Sequence, residues 1–184
     1  MSIVITNLRA RLPNWDQILP VYSVIVVILY TWSTVWFFYR ASSWALFLNI
    51  SEILAVYSYV LAANFLESIL AFVVILGMCF ILPFRWFLER FVYRGASFAI
   101  LGLGFMMYFA KQLQSDGMDK FPGALLNWSP LILFGIFLSV FLLEIIPGFS
   151  KMIAVLADRS IVFMYLYLPL TVIAVISIVV RVFI

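Results

Sequence analysis

The sequence contains no histidine, a single cysteine and few charged residues. Cys79 is the only cysteine among 184 residues, and Lys, Arg, Asp and Glu together make up 10% of the chain. The absence of histidine excludes His-based proton relays, His-ligated haem and the usual zinc sites, so no cofactor or metal is predicted. A lone cysteine cannot form an intrachain disulfide, and Cys79 is interpreted as a packing residue rather than a nucleophile.

The shortage of charge also excludes a water-soluble fold. A soluble domain carries roughly 25% charged residues, whereas this chain has 10% and is 67% hydrophobic. Runs such as VIVVILY lack the alternation of apolar and polar residues that a membrane β-barrel requires. Because a spanning backbone must satisfy its own hydrogen bonds, the composition predicts an all-α, polytopic membrane bundle surrounded by the lipid bilayer. The net charge of +3 is scattered, which argues against nucleic-acid binding.

Five apolar segments are predicted to form one transmembrane domain over residues 1–184. They cover about 18–39, 52–82, 95–113, 129–146 and 160–181. The second is longer than a bilayer core of about 30 Å requires, so it must tilt, project, or break at AANFLES to give six spans. The segment has no Gly or Pro near residue 64, which weakens the six-span alternative.

The distribution of basic residues predicts the orientation of the five-span arrangement. Seven Lys and Arg residues fall on the side of the N-terminus and four on the other side. The positive-inside rule then places the N-terminus in the cytoplasm, the C-terminus outside, and the protein in the plasma (inner) membrane. Six spans would leave the two sides nearly balanced, which also favours five.

The 52–82 segment is expected to organise the bundle, because Asn64 and Glu67 lie close to its middle. A carboxylate inside the bilayer is costly unless it is paired, protonated or hydrated. On a continuous helix Glu52 and Glu67 share one face, separated by roughly 22 Å, and Asn64 lies one turn before Glu67. Glu67 is interpreted as a proton- or ion-binding group, an interhelical packing contact, or a docking point for another subunit. The packing interpretation is favoured, since no pathway of polar partners is visible.

The densest basic cluster is RWFLERFVYRG, with Arg85, Arg90 and Arg94 among aromatic residues. Such a segment is typical of an interfacial elbow whose arginines meet lipid headgroups. Glu144 lies three residues before Pro147 and is interpreted as a solvated acid at a helix end. The loop sequence DGMDK, residues 116–120, has no matching calcium-site pattern and is interpreted as a turn.

No nucleophile elbow, phosphate loop or catalytic pair of acids is present in the sequence. The leading functional hypothesis is therefore a non-catalytic membrane subunit or scaffold that acts through helix packing with itself or with a partner protein. The first alternative is a small transporter or channel component that uses Glu67 with Asn64. The second is a lipid-handling enzyme that works at the arginine elbow.

Overall fold

In a computed structural model the chain folds into five α-helices. The structure describes residues 13–82, 87–116, 121–146 and 148–183, with only the backbone of 112–116 and 121–128, and contains no strand in those ranges. The helices are α1 (Trp15–Trp44), α2 (Ile50–Ile81), α3 (Phe91–Asp116), α4 (Phe121–Glu144) and α5 (Phe149–Phe183). Four of the described helices are long and apolar enough to cross a membrane: α1, α2, α5 and the Phe91–Lys111 part of α3. Ser129–Glu144 is a shorter apolar helix. The predicted all-α membrane bundle is confirmed.

α2 is one continuous helix of 32 residues, so the break at AANFLES proposed in the six-span alternative is absent. At 1.5 Å per residue it is about 48 Å long, which leaves tilt or projection to reconcile it with the bilayer. Its N-cap is Asn49. The backbone N–H of Asn49 donates to the Glu52 carboxylate at 2.8 Å, which satisfies a donor at the helix start.

Three helices, α1, α3 and α5, extend beyond the predicted spans at both ends. α1 continues through Arg40 to Trp44, and α5 begins at Phe149 instead of Ser160, so it includes Asp158 and Arg159. The physical reason is that polar residues end the apolar stretch without ending the helix, because only the backbone conformation and capping decide where a helix stops. Charged side chains on the extended turns remain exposed on the helix surface. In DGMDK, Asp116 closes α3 and residues 117–120 lie outside the described ranges.

α1, and not α2, is the central helix of the bundle. It packs against α2, α3 and α5, whereas α4 lies at the edge against α3 and α5. The side chains of Val21, Val24, Ile25 and Val26 are fully or almost fully buried. The expectation that the 52–82 segment organises the fold is therefore wrong.

Hydroxyl groups on α1 form hydrogen bonds with both α2 and α5. Tyr30 is fully buried, and its hydroxyl lies 2.7 Å from Oγ1 of Thr171 on α5 and donates to the Leu61 carbonyl on α2 at 3.4 Å. Further pairs from α1 to α2 or α5 are Tyr22–Ser68, Ser23 to the Ala157 carbonyl, Thr31–Tyr167, Ser33–Asn64 and Thr34–Tyr57. In lipid, where apolar contact alone does not hold helices together, such interhelical hydrogen bonds fix which helices are neighbours.

Gly95 marks the closest approach of α3 to the central helix. A Cβ atom at this position would lie 3.1 Å and 3.2 Å from the two methyl groups of Val21 and 3.6 Å from a methyl group of Ile75. The missing side chain therefore lets α3 pack tightly against α1 and α2 together, as small residues do in membrane helix packing.

Candidate functional site

The outer face of α2 carries a regular apolar stripe that no other described helix covers. Its members are spaced alternately four and three residues apart, the spacing of a left-handed helix–helix seam. All are exposed except Gly77, which is half-buried, and Leu66 shows 63% of its surface. We call this stripe the α2 seam, and it consists of Tyr59, Ala63, Leu66, Leu70, Val73, Gly77 and Phe80.

Glu67 lies beside the α2 seam, next to Leu66, and is exposed. It is the eighteenth of the 32 residues of α2, so it is close to the middle of the helix. No ion pair or side-chain hydrogen bond joins it to any residue that the structure describes. The outward face of α2 thus presents a carboxylate at mid-helix, surrounded by apolar side chains.

Asn64 is placed differently from Glu67. It is 4% exposed, and its side-chain amide donates to the hydroxyl of Ser33 on α1. The sequence placed the two residues one turn apart on α2, and the structure retains that spacing. The structure does not bring their side chains into one polar site, because Asn64 lies in the α1–α2 interface while Glu67 faces away from the bundle.

Glu52 acts at the start of α2. Its carboxylate accepts the hydrogen bond from the Asn49 N–H, so it serves as a helix cap. It lies 15 residues before Glu67, or about 22 Å along the helix, and the two acids do not form a common site.

The second candidate region is the pairing of two arginines with Glu144 where α3 begins and α4 ends. Arg94 Nη2 lies 2.9 Å from Glu144 Oε2, and its Nε also donates to that oxygen at 3.1 Å. Arg90 Nη1 lies 2.8 Å from Glu144 Oε1. Arg94 and Glu144 side chains are 12% and 13% exposed, whereas Arg90 is 57% exposed. Arg85, the third predicted headgroup contact, lies outside the described residues.

The interpretation of Glu144 as a solvated helix-end acid was wrong. It is mostly buried, and the guanidinium of Arg94 also lies 5.2 Å from the centre of the Phe141 ring, within reach of a cation–π interaction. Nearby, the Tyr93 hydroxyl donates to the Val140 carbonyl at 3.2 Å. Arg90 and Arg94 are four residues apart and share a helix face, which was a usable signal for a common acidic partner on a neighbouring helix.

A cleft separates α2 from α4 on the surface of α3. It has a volume of about 310 Å³ and an almost entirely apolar lining. No contact joins α2 to α4 in the described parts of these helices, so the cleft opens sideways between them. We call it the α2–α4 cleft, and its walls include Ala71 and Val74 of α2, Gly102 and Phe105 of α3, and Ile132 and Ile136 of α4.

Metal binding receives no support from the described ranges, which contain no group of three or more Cys, Asp or Glu residues close enough to hold an ion. Comparisons with known proteins found no matching family model, no matching curated protein and no matching solved structure. Three features of the described structure can carry a function: the α2 seam with Glu67, the Arg90–Arg94–Glu144 cluster and the α2–α4 cleft.

Proposed function

We propose that the protein is a non-catalytic subunit of a membrane complex, and that the α2 seam docks a transmembrane helix of a partner protein. Glu67 would pair with a lysine or arginine near the middle of that helix. The observation that carries the proposal is the position of Glu67, which is exposed at mid-helix and has no partner among the described residues.

The energy of an unpartnered carboxylate supports docking. A charged residue at the centre of a spanning helix costs about 2.5–3.5 kcal/mol on insertion scales. A cationic partner would offset that cost, and a helix laid along the seam would cover the exposed apolar residues on either side of Glu67. The alternating spacing of four and three residues supports a partner that is itself an α-helix, because it matches the packing of one helix against another.

The sign of the charge supports a different protein rather than a second copy as the partner. A parallel, two-fold pairing along the α2 seam would bring the two Glu67 residues of the pair close to each other. Like charges in a medium of low dielectric constant repel strongly unless one is protonated. A basic side chain on a different helix gives the same packing without that repulsion.

The two alternative functions receive less support. A transporter site would need Glu67 and Asn64 in one hydrated environment, but Asn64 is buried against Ser33. A lipid-handling enzyme would need a reactive group at the arginine elbow, and the described arginines there are paired with Glu144. For the complex itself we propose a plasma-membrane location with the N-terminus in the cytoplasm, from the distribution of basic residues.

Photo-crosslinking in native membranes tests the proposal. A photoreactive amino acid replaces Leu66 or Leu70 in the seam, or Ile173 on the exposed surface of α5 as a control. We expect both seam positions to yield one adduct of the same added mass, and Ile173 to yield none of that mass. Mass spectrometry of the adduct would show whether its crosslinked segment is a spanning helix with a basic residue.

Charge variants sharpen this experiment. Glu67→Gln should lower the yield of the adduct, and Glu67→Lys should abolish it. Asp158 is an acid on α5 that is also exposed, and Asp158→Lys should leave the yield unchanged. Adducts with lipid alone at both seam positions would overturn the proposal. An adduct with the mass of a second copy of this chain would replace the proposed partner with a homodimer.

A further inference from the structure

We propose that the α2–α4 cleft binds an acyl chain of an anionic membrane lipid whose headgroup is held by Arg90 and Arg94. None of the α2 seam residues lines this cleft, so the inference is independent of the proposed docking function. The site has an apolar part lined by α2, α3 and α4 and a cationic part where α3 begins and α4 ends.

The cleft is suited to an apolar occupant. Its volume of about 310 Å³ is at the lower end of the range for ligand-binding pockets. Apolar cavities of about half that size stay free of water and take up small hydrocarbons. A side opening between α2 and α4 faces the region where lipid chains lie, so a chain can enter without crossing water.

The length of the cleft matches one acyl chain. The cleft follows α3 from Phe98 to Phe109, a rise of about 16 Å, which is close to half of a 30 Å hydrocarbon core and therefore to the depth of one leaflet.

The charge next to the cleft indicates an anionic headgroup. Arg90, Arg94 and Glu144 together carry a net charge of +1, and Glu89, the acid next to Arg90, forms no ion pair in the described part of the chain. Arg90 is 57% exposed, and Nη1 of Arg94 is buried without a hydrogen-bond partner in the described structure. Phosphate oxygens form strong, charge-assisted hydrogen bonds with guanidinium groups, and the exposed guanidinium of Arg90 has donors left over for them. The unused Nη1 of Arg94 reaches a phosphate only when its side chain turns outward.

The helix register connects Arg94 to the cleft and leaves Lys111 out. Arg94 precedes Phe98 by four residues, which places the two within about 40° of each other around α3. Lys111 follows Phe109 by two residues, which turns it by about 200° to the opposite side. A headgroup at the start of α3 can therefore send a chain into the cleft, whereas a headgroup at Lys111 lies on the wrong face.

Native mass spectrometry of the purified full-length chain tests this site, with phosphatidylglycerol as the anionic probe and phosphatidylcholine as the zwitterionic one. We expect one lipid bound per chain, with phosphatidylglycerol favoured by about fivefold, the contribution of roughly one surface cation. Gly102→Leu should fill the cleft and reduce retention of both lipids about tenfold, the effect of losing the burial of roughly two methylene groups. A Cβ atom at Gly102 meets no atom within 4 Å, so the change is compatible with the fold.

Matched variants separate the two parts of the site. Gly104→Leu is the control for volume, because Gly104 is equally open but does not line the cleft. Arg90→Gln should abolish the preference for phosphatidylglycerol and leave retention of phosphatidylcholine unchanged, and Lys111→Gln should change neither. If Gly102→Leu does not fold, Ala71→Leu fills the cleft from the opposite wall.

Three results would overturn the inference. The first is equal lipid retention by Gly102→Leu and Gly104→Leu, and the second is an unchanged headgroup preference in Arg90→Gln. The third is a protein that copurifies with the wild-type chain and is displaced by Gly102→Leu, which would make the cleft a protein-docking surface.

Discussion

Asn64 and Glu67 lie one turn apart on α2, yet Asn64 is buried against Ser33 of α1 and Glu67 is exposed on the outer face. Asn64 therefore contributes to the internal packing of the bundle. Glu67 forms no side-chain hydrogen bond or ion pair with the described residues, and a carboxylate in such a place has a cost that internal packing does not offset. This division between the two residues leads to separate predictions for each.

Replacing Glu67 by leucine should leave the stability of the isolated chain unchanged. We expect its free energy of unfolding in detergent micelles to stay within about 0.5 kcal/mol of the wild-type value, because an exposed residue without partners contributes little. Denaturant unfolding of the purified protein measures this. A loss of more than 1 kcal/mol would mean that Glu67 has a stabilising contact within the chain.

Asn64 and Ser33 should be energetically coupled. A double-mutant cycle with Ser33→Ala and Asn64→Ala should give a coupling energy of about 0.6 kcal/mol, a typical value for interhelical hydrogen bonds in membranes. Ser58 is the control, since its hydroxyl donates to the Leu54 carbonyl of its own helix. Coupling of the same size between Ser58→Ala and Asn64→Ala would contradict the assignment.

Tyr30→Phe should destabilise the bundle by about 1 kcal/mol, because it removes the hydroxyl that joins α1 to Thr171 of α5. The shape of the side chain is otherwise retained, so the loss reports on hydrogen bonding rather than on packing. Tyr165→Phe, at an exposed position of α5, should have no measurable effect. Equal thermal unfolding temperatures for the wild type and Tyr30→Phe would show that the buried hydroxyl is not stabilising.

Glu144→Gln should lower the free energy of unfolding by about 3 kcal/mol, because it leaves the mostly buried guanidinium of Arg94 without its counter-charge. Arg90 is more than half exposed, so Arg90→Gln should cost no more than about 1 kcal/mol. Thermal unfolding of both variants in the same detergent compares the two costs. A larger loss from Arg90→Gln than from Glu144→Gln would contradict the assignment of Arg90 as an exposed residue that contributes little to stability.

Gly95→Leu should destabilise the fold by about 1–3 kcal/mol, since a side chain there must displace Val21 and Ile75 from a well-packed contact. Gly104→Leu makes the same chemical change on the same helix where no atom lies within 4 Å of the new Cβ, and it should be tolerated. Similar yields of folded protein from both variants would show that α3 can move away from α1 at little cost.

The sequence was sufficient to predict the all-α membrane fold, because composition and apolar length report directly on a lipid environment. It also favoured a 52–82 segment without a break over the six-span alternative, from the lack of Gly and Pro near residue 64. The ends of α1 and α5 were less predictable, since residues such as Arg40 and Asp158 leave the apolar stretch but continue the helix.

The central position of α1 could not be read from apolar periodicity. In a soluble bundle the buried face of a helix is marked by hydrophobic residues, whereas these helices are apolar on nearly all sides. The usable signal was the number of hydroxyl side chains in α1, including Tyr30 and Ser33, which bond to its neighbours. The Arg94–Glu144 pair depends on how α3 and α4 align, and that alignment is set by tertiary packing rather than by either segment alone.

The central position of α1 has a consequence for biosynthesis. α1 is the first of these five helices to leave the ribosome and α5 is the last, yet Tyr30 of α1 completes its hydrogen bonding with Thr171 of α5. Until α5 is inserted, the Tyr30 hydroxyl has its partner on α2, the Leu61 carbonyl, but lacks Thr171. Three helices, α2, α3 and α4, are therefore synthesised before α1 can pack against α5. The bundle reaches its final packing only after α5 has been translated.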